Sequence, residues 1–545
     1  MRRLLAASLL TTMLAAPTVW AKDELVIGIT QFPATFNPSI ESMLAKTYVL
    51  AFAQRPVTAY DASWRLSCLL CETLPTLENG LAKVEGKGIA VTYTLKADAK
   101  WGDGQPVTSD DVVFSWTVGR HPQSGVASAE LFRRIASIDV KDARTFTLHI
   151  DKLTFDYNAI NDLRLLPAHL ERSRFQPAPA EYRNRTAYDQ DTTNPGLYNG
   201  PYRIAQVVQG SHVALEPNAH WGGTKPAFKR IVIKAIENTA SLEANLLSGG
   251  VDMIAGELGL PLDQSLALEK RHGARFAVIT KPSLTYEHLD LNLGSAVLGD
   301  IRTRRALLLA LDRESMTRQL FDGRQPVAHS MVPPPDWVHA DDITRYPHDP
   351  AKAAALLDEA GWKPGAGGIR VNAGGDKLAL ELVTTVGNRS RELVAQVLQA
   401  QWRKLGIDLR IKTEPPRVLF GETVTKRKFS HMAMFAWYSA PENVPHSSLH
   451  SDAIPKADNS WSGQNYTGYA NPAMDRLIGS IETELDRPRR KALWRELQAL
   501  YAEELPALPL YFRADAFVLP KGLKGLEPTG HQDPSPYWVE SWRWE

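Results

Sequence analysis

Residues 93–116 read YTLKADAKWGDGQPVTSDDVVFSW and combine the signals of a strand, a turn and a helix. The first residues alternate apolar and polar side chains, which is typical of a strand with one buried face. Asp103-Gly104 is a strong turn signal. Ser109 or Asp110 can cap the helix that the following apolar residues predict. The stretch therefore predicts a strand–turn–helix unit.

Helix signals are clear in the second half of the chain. Asp349-Pro350 and Asn471-Pro472 each place a capping side chain before a proline, a pattern typical of the first helical turn. An apolar stripe from 394 to 405 predicts another helix, with strand-like runs before it at 378–383 and after it at 407–412. This succession predicts a βαβ unit and a parallel pair of strands.

Composition excludes several classes of protein. The chain has 545 residues and a formal net charge of +1, so it has no global basic field for nucleic acid. Hydrophobic residues make up 44% and charged residues 23%, which is ordinary globular composition. The length predicts about three domains or large lobes.

Residues 1–21 have the layout of a cleaved signal peptide. Arg2 and Arg3 precede an apolar run over 4–16, and Val19-Trp20-Ala21 suits cleavage after Ala21. The run is shorter than the ~20 residues of a membrane-spanning helix. No cysteine stands directly after the cleavage point, so we expect no lipid anchor. The destination is an oxidising extracytoplasmic space, most simply a bacterial periplasm.

The two cysteines, Cys68 and Cys71, form a C-x-x-C motif between polar turn segments. In an exported protein this spacing favours a small local disulfide. Free thiols and a redox role remain alternatives, although a thioredoxin-like motif belongs at a helix start after a strand.

Motifs of catalysis and metal binding are missing. The sequence has no P-loop, no H-E-x-x-H and no G-x-S-x-G. His431, His446 and His450 form the densest histidine cluster, but we recognise no helical i,i+4 pair completed by a third ligand, and we expect no metal site. Gly-rich 365–368 leads into a strand and predicts a turn. The sequence therefore indicates a protein that is not an enzyme and needs no cofactor.

Several stretches, taken in chain order, resemble one family: the substrate-binding proteins of ABC importers for peptides, nickel and opines, often called solute-binding family 5. Each stretch is a modest match, but their order is that of the family, and they span the chain after the leader. They are residues 36–38, 93–116, 199–202, 302–312, 348–362, 399–411 and 505–511.

The resemblance implies an α/β fold, the two-lobed periplasmic-binding-protein fold of type II, cluster C, with mixed sheets and a hinge. Lobe I would combine residues 22–285 with 511–545 and carry an inserted subdomain at about 60–195. Lobe II would be residues 286–510. The crossover segments would be Tyr286–Leu293 and Leu510–Leu519.

The resemblance also implies a function. A protein of this family captures its ligand between the lobes and presents the closed form to an ABC permease with a cytoplasmic ATPase. We expect a periplasmic monomer that binds di- to oligopeptides, with no nucleic-acid partner. A non-peptide solute (an opine, a sugar or a metal chelate) and a ligand-binding sensor remain alternatives.

The family's ligand segment, G-W-x-x-D, maps onto residues 436–442. Trp437 matches, but Ser439-Ala440 stands where the acidic acceptor of a peptide amino group is expected, so Glu442 is the candidate replacement. Arg389 and Arg391 lie where some relatives place an arginine for the ligand carboxylate; solvated charges at a helix start are the alternative. The expected ligand contacts are Phe36, Asn37, Arg389, Arg391, Trp437, Tyr438, Ser439, Glu442, Trp461 and Asn465.

Overall fold

The computed structural model describes residues 22–40, 43–127, 129–415, 418–459 and 463–545. The expected signal peptide, residues 1–21, and the expected ligand contact Trp461 both lie outside the described residues. Among the helices that are described, none combines the length and the apolar character needed to cross a membrane.

The described strands are short in most of the chain, with two long exceptions. They are β1 Glu24–Ile29, β2 Thr58–Tyr60, β3 Leu66–Cys68, β4 Ala82–Glu85, β5 Gly88–Thr94, β6 Ile135–Val140, β7 Thr145–Ile150, β8 Tyr202–Val208, β9 His212–Pro217, β10 Arg230–Ala235, β11 Met253–Ile254, β12 Phe276–Leu291, β13 Lys363–Pro364, β14 Arg370–Val371, β15 Ala379–Thr385, β16 Asp408–Glu414, β17 Met432–Tyr438, β18 Ala507–Pro520, β19 Leu523–Lys524 and β20 Arg543–Trp544.

The described helices are longest toward the end of the chain. They are α1 Leu44–Ala53, α2 Ser109–Arg120, α3 Glu130–Arg134, α4 Ala168–Phe175, α5 Ala187–Gln190, α6 Thr239–Ser248, α7 Leu262–His272, α8 Ile301–Leu309, α9 Arg313–Phe321, α10 Pro350–Glu359, α11 Arg389–Lys404, α12 His446–Leu449, α13 Pro472–Thr483 and α14 Arg487–Glu504. A π-helical segment spans Leu419–Val424, and short 3₁₀ turns occupy Pro179–Asn184, Pro195–Leu197, Ala366–Gly368, Ser451–Ala453, Ala457–Asn459 and Ser535–Ser541.

A ten-stranded mixed sheet runs through the molecule in the order β16-β15-β17-β12-β18-β11-β1-β10-β9-β8. Its two central strands, β12 and β18, are antiparallel, and their register shifts between Pro282 and Tyr286. The first half of the molecule comprises β11, β1, β10, β9 and β8, with residues 276–282 of β12 and 514–520 of β18. The second half comprises β16, β15 and β17, with residues 285–291 of β12 and 507–512 of β18. The expected crossover segments therefore lie in strands that join the two halves.

The predicted βαβ unit is confirmed. β15 and β16 are parallel, with Ala379 opposite Asp408, and α11 connects them. The predicted caps of the two proline-initiated helices are also confirmed, because Asp349 accepts from the Lys352 N–H and Asn471 from the Ala473 N–H. The second half thus follows local signals closely.

A separate four-stranded antiparallel sheet, β4-β5-β7-β6, forms a subdomain with its own apolar core. Tyr93, Trp101 and Phe146 in that core are fully buried. The predicted cap of α2 is wrong by one residue: Thr108 is the N-cap, and its N–H donates to the Asp111 carboxylate over 2.8 Å. The signal was a capping box, with an acidic residue three positions after the cap.

The C-x-x-C motif lies at the edge of this subdomain. Cys68 and Cys71 are joined by a disulfide, with their Cα atoms 5.1 Å apart. This disulfide closes a short ring of the backbone and fixes the turn after β3.

Candidate functional site

Two large cavities lie between the halves of the molecule. The central cavity, about 820 Å³, has Glu257 and Asp515 on the first-half side and residues 385–391 on the second-half side. The subdomain cavity, about 1020 Å³, lies between Lys152 of the subdomain and Glu442 of the second half. Both are close to the roughly 300–1000 Å³ range of small-molecule sites.

Tyr438 lines both cavities. It ends β17 and is 45% exposed, whereas residues 432–435 of the same strand are buried. β17 pairs with β12 over its whole length, whereas β15 pairs with it only as far as Met434. Among the described strands, residues 435–438 therefore have a partner on one side only. Their other backbone edge lies where the halves meet.

Trp437 lies in the wall of a smaller cavity of about 230 Å³ in the second half. Its ring stacks on that of Tyr466, with centroids 5.8 Å apart. His288 lies on a roughly parallel plane 6.3 Å away. Ser439, the next predicted contact, lines this cavity and donates from its N–H to the Leu284 carbonyl over 3.2 Å.

Glu442 lines the subdomain cavity, but its carboxylate is already occupied by protein partners. It forms an ion pair with Arg490, and Trp337 Nε1 donates to it over 3.0 Å. Burial raises the pKa of Glu442, and Arg490 opposes that shift. A ligand amino group would therefore have to compete with Arg490 for Glu442, and the role of Glu442 as a ligand contact stays a prediction.

Arg391 is also engaged. Its Nε lies 2.6 Å from Glu287, whose other oxygen lies 2.6 Å from Arg513. Burial raises the pKa of Glu287, but the two guanidinium groups outweigh it and hold the pKa below its ordinary value. Arg389 is different, because its side chain is 63% exposed and lies 3.8 Å from Glu392. Of the two predicted arginines, Arg389 is the one left open to the central cavity.

Three predicted contacts have structural roles in this geometry. Phe36 is buried in the first-half core, and Asn37 holds its own turn by accepting from the Ser39 N–H over 2.9 Å. Asn465 is fully buried and donates to the carbonyls of His450 and Tyr469. Asn465 is a buried amide whose donors are satisfied by backbone carbonyls, and it is positioned to hold two loops together.

Glu257 and Asp515 were missed by the sequence reasoning. Burial raises the pKa of Asp515 to about 8, and the neighbouring Glu257 adds to that shift. Burial likewise raises the pKa of Glu257. A signal was present: Arg513 and Asp515 interrupt an otherwise apolar strand, where a charge is costly unless it has a partner.

The histidine cluster is only partly as expected. His431 accepts from the Glu381 N–H, apart from the others. His446 and His450 stack with their centroids 4.4 Å apart, and Asp452 brings a third ligand atom within 4.8 Å. The spacing argument was wrong at this point, because an i,i+4 pair and a third group do meet here. Asp452 and Glu482 supply hydrogen-bond partners to the His446 ring.

The subdomain and the second half touch across the subdomain cavity. Lys152 forms an ion pair of 2.8 Å with Glu482 at the end of α13. The Phe155 N–H donates to the Glu482 carbonyl over 3.0 Å, and the Arg490 guanidinium lies 4.5 Å from the centroid of the Phe155 ring. Backbone and side-chain contacts therefore close the cavity along one edge.

The sequence profile of the bacterial extracellular solute-binding proteins, family 5, matches residues 56–456. That match covers well over half of the chain. The protein belongs to this family. Its members are solute-binding proteins found outside the cytoplasm, and the resemblance seen in the sequence motifs is confirmed.

The relatives extend the similarity over nearly the whole chain. The oligopeptide-binding protein AppA of Bacillus subtilis is 25% identical over 95% of this chain and 91% of its own length. The nickel-binding periplasmic protein of Escherichia coli is 25% identical over 77% of this chain and 78% of its own length. A crystal structure of an oligopeptide-binding protein from Thermus thermophilus with a pentapeptide superposes with a TM-score of 0.74, 29% identity and 96% coverage of both chains. The fold is the two-lobed one that the motifs predicted.

Proposed function

We propose that this family 5 protein captures peptides in the cleft between its two halves and delivers them to an ABC permease. The observation that carries the proposal is the one-sided edge of β17, which borders both cavities at Tyr438. An extended peptide can add to such an edge through main-chain hydrogen bonds, which are indifferent to side-chain identity.

The cleft also suits the rest of a peptide. Together the two cavities give space on both sides of Tyr438, so that side chains of different sizes fit with bridging water. Arg389 lies at the amino end of α11 with its guanidinium exposed, and a bidentate pair with a ligand carboxylate suits that position. Relatives whose names include peptides and nickel support a transported solute of this size range.

The proposal includes location and partners. The protein works in the periplasm as a monomer, and the ligand-bound form docks on a permease that a cytoplasmic ATPase drives. The role is capture and delivery without catalysis, so binding leaves the ligand chemically unchanged. Purified protein should therefore return a bound peptide with its mass unchanged.

The test is a binding screen. Residues 22–545 are heated with di- to pentapeptides, an opine, a sugar and a nickel–histidine chelate. A ligand at about 100 times its Kd should add about 2.7 kcal/mol of stability. Tyr438→Ala should weaken peptide binding by about tenfold, as expected for a central aromatic contact. Val140→Ala, an exposed apolar residue on β6, is the control and should bind as the wild type does.

Two results would contradict the proposal. Stabilisation by the chelate, the sugar or the opine, with none by any peptide, would assign a different solute to the same cleft. Equal peptide affinity in Tyr438→Ala and the wild type would move the peptide away from the β17 edge.

A further inference from the structure

Glu257 and Asp515 are partly buried carboxylates in the wall of the central cavity, and within the described residues neither forms an ion pair. Glu257 accepts from the Ser535 N–H and hydroxyl through Oε1, over 3.1 and 2.9 Å. Its Oε2 is buried without a hydrogen-bond partner among the described residues. Within the same part of the chain, the Asp515 carboxylate has neither an ion pair nor a hydrogen bond to a side chain. Isolated buried charges of this kind are costly.

The nearby cations do not neutralise this pair. The charge of Arg513 opposes the rise in the pKa of Asp515, but its guanidinium lies 2.6 Å from Glu287. Lys281 stands opposite Asp515 in β12, and its ammonium group donates to the Ala62 carbonyl over 2.9 Å. Arg391 lies on the other oxygen of Glu287. Two arginines thus share the one carboxylate of Glu287, and within the described residues neither Glu257 nor Asp515 forms an ion pair of its own. The pKa values of Asp515 and Glu257, both raised by burial, agree with this arrangement.

An aromatic side chain stands beside the two acids. Burial in the cleft, and then the charges of Asp515 and Glu257, raise the pKa of Tyr438. All three groups line the central cavity, and β11 pairs with β18 at Ile254 and Val518, three residues from Glu257 and Asp515 respectively. A carboxylate pair next to an aromatic ring is a favourable environment for an ammonium ion, through charge-assisted hydrogen bonds and the ring face.

We propose that Asp515, backed by Glu257 and flanked by Tyr438, is the site that receives an ammonium group of the ligand. The inference rests on the proposed function for the cleft but names residues outside the G-W-x-x-D segment. In this role Asp515 replaces Glu442, whose carboxylate forms an ion pair with Arg490. The ammonium group can come from a peptide amino terminus or from a lysine side chain, and the test separates these sources.

The probes are pairs that differ only in the presence of an ammonium group. Trialanine is compared with N-acetyl-trialanine, and N-acetyl-Lys-Ala-Ala with its side-chain-acetylated form. Putrescine and N,N′-diacetylputrescine, which carries no ammonium group, ask the same question without a peptide backbone. Calorimetric titration of the wild type should give at least about 30-fold tighter binding for the ammonium-bearing member of a pair, the loss expected when a buried charge pair is broken.

Asp515→Asn and Glu257→Gln test the residues. Each keeps the size of the side chain, and in Glu257→Gln the new amide oxygen would still accept from Ser535. Both should reduce the preference for the ammonium-bearing probe toward unity. Both should also raise the melting temperature of the empty protein, because an uncompensated buried charge is removed. Substitution of a residue with a purely structural role would instead lower the melting temperature. Glu216→Gln, an exposed carboxylate of the first half paired with Arg203, is the matched control and should leave both measurements unchanged.

The outcomes separate this inference from the proposed function. Equal binding of free and acetylated peptides by the wild type would overturn the ammonium site and leave peptide capture standing. An undiminished preference in Asp515→Asn would overturn it too, as would no preference in any pair. A preference seen with putrescine alone, and lost in Asp515→Asn, would support the ammonium site while peptide capture fails. Within the peptide pairs, a preference for trialanine alone assigns the site to the amino terminus, and one for the lysine probe alone assigns it to the side chain.

Discussion

At the scale of single residues, two carboxylates in the same cleft differ because of their partners. Glu442 has Arg490 and Trp337, so its charge is balanced inside the protein. Asp515 faces the central cavity with Glu257 as its acidic neighbour. Glu442 thus has its cation within the protein before any ligand arrives, whereas in our proposal Asp515 receives one only from the ligand. Both are acidic residues beside apolar ones, and the difference between them arises entirely from tertiary contacts.

Asp515 should make the empty protein less stable as the pH rises. Its pKa lies at about 8 in the folded protein against 3.8 for an ordinary aspartate, so between these values the folded chain holds a proton that the unfolded chain has lost. The free energy of unfolding therefore falls across this window. Asp515→Asn removes the titrating group, and its advantage over the wild type should grow from about pH 4 to about pH 8, exceeding about 1 kcal/mol at the upper end. Urea denaturation at several pH values measures this.

The control for this prediction is Asp342→Asn. The Asp342 pKa is lowered by its hydrogen bond with Arg495, so its effect on the pH profile has the opposite sign and is small at this exposed position. An Asp515→Asn profile parallel to that of the wild type would contradict the prediction.

At the scale of elements, α2 is held by its first turn. Thr108 and Asp111 exchange contacts there, and Asp111 also accepts from the Ala168 N–H over 2.8 Å. The turn thus ties the helix to the start of α4. Capping of this kind is needed because the first N–H groups of a helix have no partner within it.

Thr108→Ala should destabilise the protein by about 1 kcal/mol, the usual loss for an N-cap threonine. Thr117→Ala is the matched control, because Thr117 is exposed in the same helix and its hydroxyl donates only to the Val113 carbonyl. Urea unfolding of both variants gives the comparison. Equal stability of the two would mean that the Thr108 side chain does not cap α2.

Local signals predicted the elements well but could not predict the tertiary partners of the candidate site residues. The caps at Asp349 and Asn471, and the parallel pair around α11, depend on neighbours a few residues away, and they are confirmed. The role of Arg391 depends on Glu287, which is 104 positions distant in the chain. No spacing rule reveals such a partner. The family resemblance supplied the overall fold, but it pointed to Glu442 because it compares positions and not contacts.

At the scale of the whole molecule, the two halves are joined by β12 and β18 and meet again at the subdomain. The register shift between Pro282 and Tyr286 interrupts the regular pairing where the halves join. The contact of Lys152 and Phe155 with Glu482 lies on the far side of the subdomain cavity. In the proposed function, a ligand between the halves would be enclosed by the irregular β12–β18 connection on one side and by the Lys152–Glu482 contact on the other.

Lys152→Met should speed ligand release by about two- to fivefold. It removes the ion pair with Glu482 but leaves the Phe155 hydrogen bond, and an exposed pair contributes at most about 1 kcal/mol. Stopped-flow fluorescence of a preloaded peptide measures the release rate. Lys229→Met removes an ion pair with Asp23 inside the first half and should release at the wild-type rate. Equal rates in Lys152→Met and Lys229→Met would rule out a contribution of the subdomain contact to enclosure.

The position of β18 has a consequence for how the chain is made. This strand comes from residues 507–520, yet it lies between β12 and β11 in the middle of the large sheet. Until the ribosome has added nearly the last segment, the sheet has a gap at its centre, and the residues that should flank it have no neighbour. Neither half can therefore complete its part of the sheet while the chain is still being synthesised, although domains generally fold as units from the amino terminus. The centre of the large sheet therefore stays incomplete until translation is nearly finished. The insertion of β18 between β12 and β11 is a late step in folding.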